Sequence, residues 1–314
     1  MTPSQGGRQG ERIAKVIARA GVCSRREAER LIAEGRVSLD GQTLESAAVN
    51  VTPAQSITVD GRPLPKLEAP RLFRFHKPTG VLVAERDPEG RPTIYDTLAR
   101  ESAGALPRLL PVGRLDLNSE GLLLLTNDGE LKRKLELPAT GWVRRYRARV
   151  RGRVKPSELE GLKDGLTVEG VRYGPIEASL DRQQGANAWV TLALAEGKNR
   201  EVRRVLATLG LEVNRLIRVS YGPFHLGKLP RGKIEEIAPA VIEEQLGIAV
   251  IAPGGAPAAN GATPAKTRDR SRWAKPKARK TAKPGLSRKT KARSDDRKKA
   301  EKAPRQRSGK GRTP

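Results

Sequence analysis

Between residues 13 and 33 the apolar positions recur at helical spacing. Ile13, Val16, Ile17 and Ala20 share one face, and Gly21 suits the end of that helix. Ser24 followed by Glu27 has the form of a capping box opening a second helix, whose inward face is Ala28, Leu31 and Ile32 and whose stop is Gly35. Two short strand-like pieces come next, Arg36–Leu39 and Ser56–Val59, each ending in an Asp-Gly turn pair, Asp40-Gly41 and Asp60-Gly61. Pro63, Pro65 and Pro70 then make a stiff linker.

From residue 71 to 247 the pattern changes to short apolar runs. Leu72–Phe75, Leu122–Thr126, Arg145–Val150, Trp189–Leu194 and Val213–Val219 are predicted strands, with helices at Ser157–Leu162 and Asn199–Leu209. Strand and helix do not alternate regularly, so a mixed α+β class is expected rather than a doubly wound sheet. After Ala252 almost nothing apolar remains to bury. Residues 253–314 cannot offset the entropy of ordering and are predicted to be a disordered basic tail, as residues 1–8 are a disordered polar N-terminus.

Charge sharpens this picture. Lys and Arg number 61 against 35 Asp and Glu, a net +26 over 314 residues. From Lys266 onward 21 basic residues meet 4 acidic ones, so the tail carries +17 and the rest only +9. A polyanion is the partner such a balance fits. Trp273 in the tail could add one stacking contact on a base. One cysteine, Cys23, excludes an internal disulfide and any multi-cysteine zinc site, and a buried inert thiol is expected. With only His76 and His225, no histidine-rich metal centre is expected, and no cofactor or metal is predicted. Neither a signal-like segment nor a run of 18 apolar residues occurs, so the expectation is a cytoplasmic monomer with no membrane contact.

The longest informative string runs from Gly113 to Gly129, Gly-Arg-Leu-Asp-Leu-Asn-Ser-Glu-Gly-Leu-Leu-Leu-Leu-Thr-Asn-Asp-Gly. It sets an acid, Asp116, between two leucines on a turn that enters a strongly apolar strand. There a carboxylate is partly desolvated and calls for a basic partner. An isolated Asp of this kind is usually a capping or turn residue.

The whole string, however, resembles the catalytic motif of the RsuA/RluB family of RNA pseudouridine synthases. The resemblance makes Asp116 the essential aspartate and Arg114 the residue that fills the gap left by an extruded nucleotide. Other segments agree in chain order. His76-Lys77-Pro78-Thr79-Gly80 resembles a motif that builds the site. Arg145 to Val150 resembles the strand whose tyrosine, here Tyr146, lies against the target uracil. Glu196 to Val205 resembles a basic motif in which Arg203 pairs with Asp116, while Lys198, Asn199 and Arg200 approach RNA. Leu216 matches an apolar residue near the reacting base. Glu201 stands where the family has Gln, and Val205 where it has Met.

Residues 9–68 resemble the S4 RNA-binding domain, on the string Ser24 to Ile32 followed by Gly35-Arg36-Val37. The resemblance assigns Arg25, Arg26, Arg30 and Arg36 to RNA phosphates and shape. Residues 69–247 would then be the catalytic domain. The implied activity is conversion of a uridine to pseudouridine in ribosomal RNA or a pre-ribosomal particle, with 23S RNA favoured over 16S. The rival reading is a non-catalytic RNA-binding assembly factor built on the same core.

Overall fold

The computed structural model describes residues 10–102 and 106–247. The N-terminal region, the tail and Trp273, for which disorder or a stacking role is expected, lie outside the described residues.

The first helical pair forms as its apolar spacing dictates. Helix α1 (Ile13–Arg19) and helix α2 (Arg25–Ala33) pack Ile13, Ile17, Ala28 and Ile32 into a core of their own. The Ser24 hydroxyl accepts the Glu27 amide at 3.2 Å, so α2 has the N-cap that the sequence implies. The reciprocal half of the capping box does not form, because the Glu27 carboxylate is taken by Arg30. Strands β1 (Val37–Leu39) and β2 (Ile57–Val59) pair antiparallel and cover the helices. Cys23 is half-buried rather than enclosed, and burial, with Glu27 nearby, raises its thiol pKa.

The larger region is built on one mixed sheet. Its main strands, in chain order, are β3 (Leu72–Lys77), β4 (Ser119–Thr126), β5 (Arg144–Arg151), β6 (Ile176–Gln184), β7 (Asn187–Leu194), β8 (Glu212–Tyr221) and β9 (Ile234–Ile237). They lie side by side as β6-β7-β5-β8-β4-β3-β9. Every neighbouring pair is antiparallel except β8 with β4. All eight residues of β4 are buried. Leu122 and Leu124 enter one core and Leu123 and Leu125 another, which is why the segment Leu122–Leu125 is continuously apolar instead of alternating.

Helices α3 (Ile94–Ser102), α4 (Gly129–Glu136), α5 (Glu201–Thr208) and α6 (Pro239–Leu246) supply the remaining layers. Of these only α5 is predicted from the apolar spacing. Strand β8 runs two residues beyond its apolar stretch, and β6, with one apolar face and long polar ends, has no clear strand signature in sequence. Among the described residues no helix is long and apolar enough to cross a membrane.

Candidate active site

The parallel junction of the main sheet, β8 against β4, creates the site. Leu216 lies opposite Ser119 and Arg218 opposite Gly121, so the turn entering β4 is held beside the middle of β8. The strands approach so closely that Gly121 cannot be replaced locally. Its φ is +109°, and a Cβ there would stand 2.3 Å from the Arg218 carbonyl oxygen.

The turn itself is Asp116–Ser119, closed by the Ser119 amide donating to the Asp116 carbonyl at 3.0 Å. Leu115 is buried in the core below it, while Asp116 is half-buried. Beneath the turn lies Lys77, the last residue of β3 and fully buried. Its ammonium donates to the carbonyl oxygens of Ser119 (2.9 Å), Pro78 (3.0 Å), Asp116 (3.1 Å) and Leu117 (3.3 Å). Burial lowers its pKa to about 8, with Asp116 and Glu120 acting in opposition. The Gly80 amide adds a bond to the Leu117 carbonyl at 2.9 Å, so the segment after β3 and the Asp116 turn form one unit.

A cleft of about 900 Å³ opens above this unit. Asp116, Tyr146 and Leu216 line it, together with Arg114, Lys198, Asn199 and Arg200. Tyr146 comes from β5, where it pairs with Arg218 of β8 and is half-buried against two cores. Arg114 is exposed at the mouth. Seven of the residues singled out in sequence therefore share one concavity although they span more than a hundred positions of chain.

Arg203 departs from expectation. It is not in the cleft lining, and among the described residues it makes no ion pair with Asp116. Its guanidinium donates instead to the Val213 carbonyl at 2.8 Å and the Asn118 carbonyl at 2.9 Å. Carbonyls at these positions occupy the planar fork, so Arg203 ties α5 to the Asp116 turn and to β8 through the backbone. Burial, then Arg200, lowers its pKa, and the field of Asp116 acts in the opposite direction.

The basic loop before α5 is only partly free. Lys198 Nζ is held by Glu196 at 2.5 Å and by the Arg172 carbonyl at 2.7 Å, whereas Asn199 and Arg200 have no such partners among the described residues. Glu201 closes the loop by accepting the Lys198 amide at 2.8 Å while its own amide donates to the Lys198 carbonyl at 3.2 Å. It is 3% exposed, one of its oxygens lacks a partner, and burial raises its pKa. Arg200 takes a left-handed conformation, φ +51°, at the start of α5.

The four arginines of the first region lie outside this cleft. Arg36 makes a two-pronged pair with Asp60, 2.7 Å for each contact, and Arg30 is paired with Glu27. Arg25 and Arg26 are exposed and have no partner among the described residues.

Several wall residues have no clear signal in sequence. Arg218, 3% exposed, donates to the Leu122 carbonyl at 2.7 Å, and its Nη2 is buried without a partner. Arg144 and Arg218 both lie over the Tyr221 ring, 4.9 Å and 5.2 Å from its centroid. In sequence these are two more arginines in arginine-rich strands; only the strand pairing turns them inward. Among the described residues no group of three His, Cys, Asp or Glu is placed to hold a metal ion.

Comparison with known proteins gives a consistent result. The model of a family described as RNA pseudouridylate synthase matches residues 71–208, and that of the S4 domain matches residues 11–63. An uncharacterized RNA pseudouridine synthase of Rickettsia prowazekii is 43% identical over 235 residues, which cover 75% of this chain and 97% of that protein. The ribosomal large subunit pseudouridine synthase B of Salmonella typhi is 43% identical over 233 residues, 72% of this chain and 79% of that protein. A crystal structure of a pseudouridylate synthase aligns with a TM-score of 0.51 at 26% identity, covering 75% of this chain and 99% of the other. Identity sustained across nearly the full length of a relative, with a turn-mounted aspartate and a tyrosine lining one cleft, places the chain in the family of RNA pseudouridine synthases with an N-terminal S4 domain.

Proposed function

We propose that the chain converts a uridine of large-subunit, 23S ribosomal RNA to pseudouridine, with Asp116 as the catalytic carboxylate. The observation that carries this reading is the meeting of Asp116, Tyr146 and Leu216 in one cleft whose rim is basic. The name of the Salmonella relative supports the choice of the large subunit.

The reaction breaks the N1–C1′ bond, turns the base and joins C5 to C1′; the C5 proton is released and N1 takes up a proton, so the product is an isomer. No net oxidation or phosphoryl transfer is involved. Asp116 acts as nucleophile or as base at the sugar or uracil. Tyr146 offers a ring to stack on the base and a hydroxyl able to relay a proton. Arg114, exposed at the mouth, fills the space vacated by an extruded nucleotide. Arg203 and Lys77 keep the Asp116 turn in place through its carbonyls. Asn199, Arg200, Arg25 and Arg26 meet the RNA directly. Lys198, Arg30 and Arg36 must first exchange ion pairs for phosphate contacts, a small cost where the pairs are solvated. The chain works as a cytoplasmic monomer on rRNA or on a pre-ribosomal particle.

Tritium release from 5-³H-uridine-labelled 23S and 16S transcripts tests this, repeated on immature large subunits, with Asp116→Asn in parallel. Release from 23S RNA or the large particle by the wild type alone, with RNA binding retained by Asp116→Asn, is expected. Release only from 16S RNA would move the substrate to the small subunit. No release from any RNA or particle would leave a binding protein.

A further inference from the structure

The sheet has a second face, and it is strongly basic. Tyr146 and Ala148 of β5 point toward the cleft and the core, so Arg145, Arg147 and Arg149 point the other way, where they are exposed. Strand pairing extends this into a row. Arg182 of β6 lies opposite Trp189 of β7, Trp189 opposite Arg149 of β5, and Arg149 opposite Arg215 of β8. Four adjacent strands at about 4.8 Å spacing make this row roughly 14 Å long.

Like charges directly opposite each other on a sheet are destabilising. Arg149 against Arg215 is such a pair, on a strand flanked by neighbours on both sides. The acids on this face neutralise it only in part. Asp181 is taken by Arg147 at 2.9 Å, and Glu120, 1% exposed, by Arg215 and by Arg231 at 2.9 Å. Glu177 and Glu212 stand farther off, in register with Ala193 and Arg151. The side chains of Arg145, Arg149 and Arg182 have no hydrogen bond or ion pair among the described residues. Trp189 is no open stacking platform, because Arg147 and Arg215 lie over its ring, 4.8 Å and 5.9 Å from the centroid. The ring holds guanidinium groups in place instead of receiving a base.

We propose that this arginine row, on the sheet face opposite the cleft, is a second RNA-binding surface that takes the phosphate backbone of helical RNA. The inference rests on the RNA-modifying reading above. A flat array of guanidinium forks, two of them held over Trp189 and the others unpaired, suits phosphates rather than bases. Contact with a polyanion also relieves the part of the Arg149–Arg215 repulsion that Glu120, shared between Arg215 and Arg231, leaves uncompensated. The basic tail of this same chain has the wrong sign to cover the face. RNA held here and RNA in the cleft would lie on opposite sides of one sheet, which only a large folded RNA can satisfy at once.

The test uses the full chain and a 16-base-pair RNA duplex that carries no substrate loop, titrated by fluorescence anisotropy at several salt concentrations. Arg149→Gln with Arg182→Gln is expected to weaken binding about 5–10-fold near 0.1 M salt and to reduce the slope of log K against log salt by about 1–2. Arg149→Lys with Arg182→Lys should bind with the wild-type slope. The Gln pair should melt at or above the wild-type temperature and keep wild-type kcat on a short hairpin substrate, which separates surface binding from folding and chemistry. Unchanged affinity and slope would overturn the proposal. So would loss of poly-glutamate binding without loss of duplex binding, which would assign the face to an acidic protein. A chain that binds duplex through this row yet converts no uridine would refute the enzymatic reading and leave this one standing.

Discussion

The ammonium of Lys77 lies 3.1 Å from the main-chain carbonyl oxygen of Asp116, and the acidic side chain of that residue projects into the cleft above it. A buried cation thus holds the backbone of the turn while the carboxylate it carries stays available for chemistry. The arrangement resembles a bound metal ion in a loop, with four carbonyl ligands and no water-exposed surface.

Replacing this residue by Lys77→Met should destabilise the protein by about 1–3 kcal/mol, since carbonyls lose a charged donor in a buried place. Turnover should fall far more than RNA affinity, because the cleft rim is untouched. Wild type adds a pH signature. The Lys77 pKa is lowered to about 8 in the folded chain, so between about 8 and its ordinary 10.5 the unfolded chain holds more protons. Stability should therefore rise with pH across that window while kcat declines as the turn loses its charged brace. Melting curves and single-turnover rates from pH 7 to 10.5 check both, and a kcat flat across the window would remove the role assigned to Lys77.

Glu201 gives the opposite sign. Burial raises its pKa, so the folded chain binds this proton more tightly than the unfolded one. Its contribution is full below the ordinary carboxylate value of 4.5 and is lost as pH rises through the raised value. Glu201→Gln keeps an acceptor for the Lys198 amide and removes the buried charge. The variant should gain roughly 1–3 kcal/mol at pH 8, seen as a melting temperature a few degrees higher, and gain nothing near pH 4. Equal shifts at both pH values would show that the charge is not what Glu201 contributes.

Arg203→Ala should leave RNA affinity within about threefold of wild type and lower kcat by about 100-fold, the effect of letting a positioned group move by about an ångström. Arg203→Lys should recover only part of this, since one ammonium on a flexible stem does not reproduce a planar fork that reaches Val213 and Asn118 together. Rapid-quench rates and binding isotherms distinguish the outcomes. Weakened binding at constant kcat would make Arg203 an RNA ligand instead of a brace.

Much of this protein can be read from its residues in order. The spacing of Ile13, Ile17, Ala28 and Ile32 determines a helical pair, since a face that recurs every three or four residues can be buried in only one local conformation. The run Leu122 to Leu125 requires a strand buried on both sides, and the Gly113–Gly129 string points to Asp116 and to the family. Helices α3, α4 and α6 are less legible because each buries only one or two residues and its form depends on the sheet it covers.

What only tertiary structure decides is which partner each charge meets. Sequence marks Lys77, Arg203 and Glu201 by resemblance and leaves Arg218 unmarked, but nothing local says that Lys77 is fully enclosed or that Arg203 bonds carbonyls instead of the Asp116 carboxylate. The parallel register of β8 on β4 sets those contacts, and with them the side of the sheet on which each arginine of β5 and β8 stands. Local spacing fixes which residues can share a face. Long-range pairing fixes what that face looks at, and electrostatic contacts of a few ångströms depend on the second.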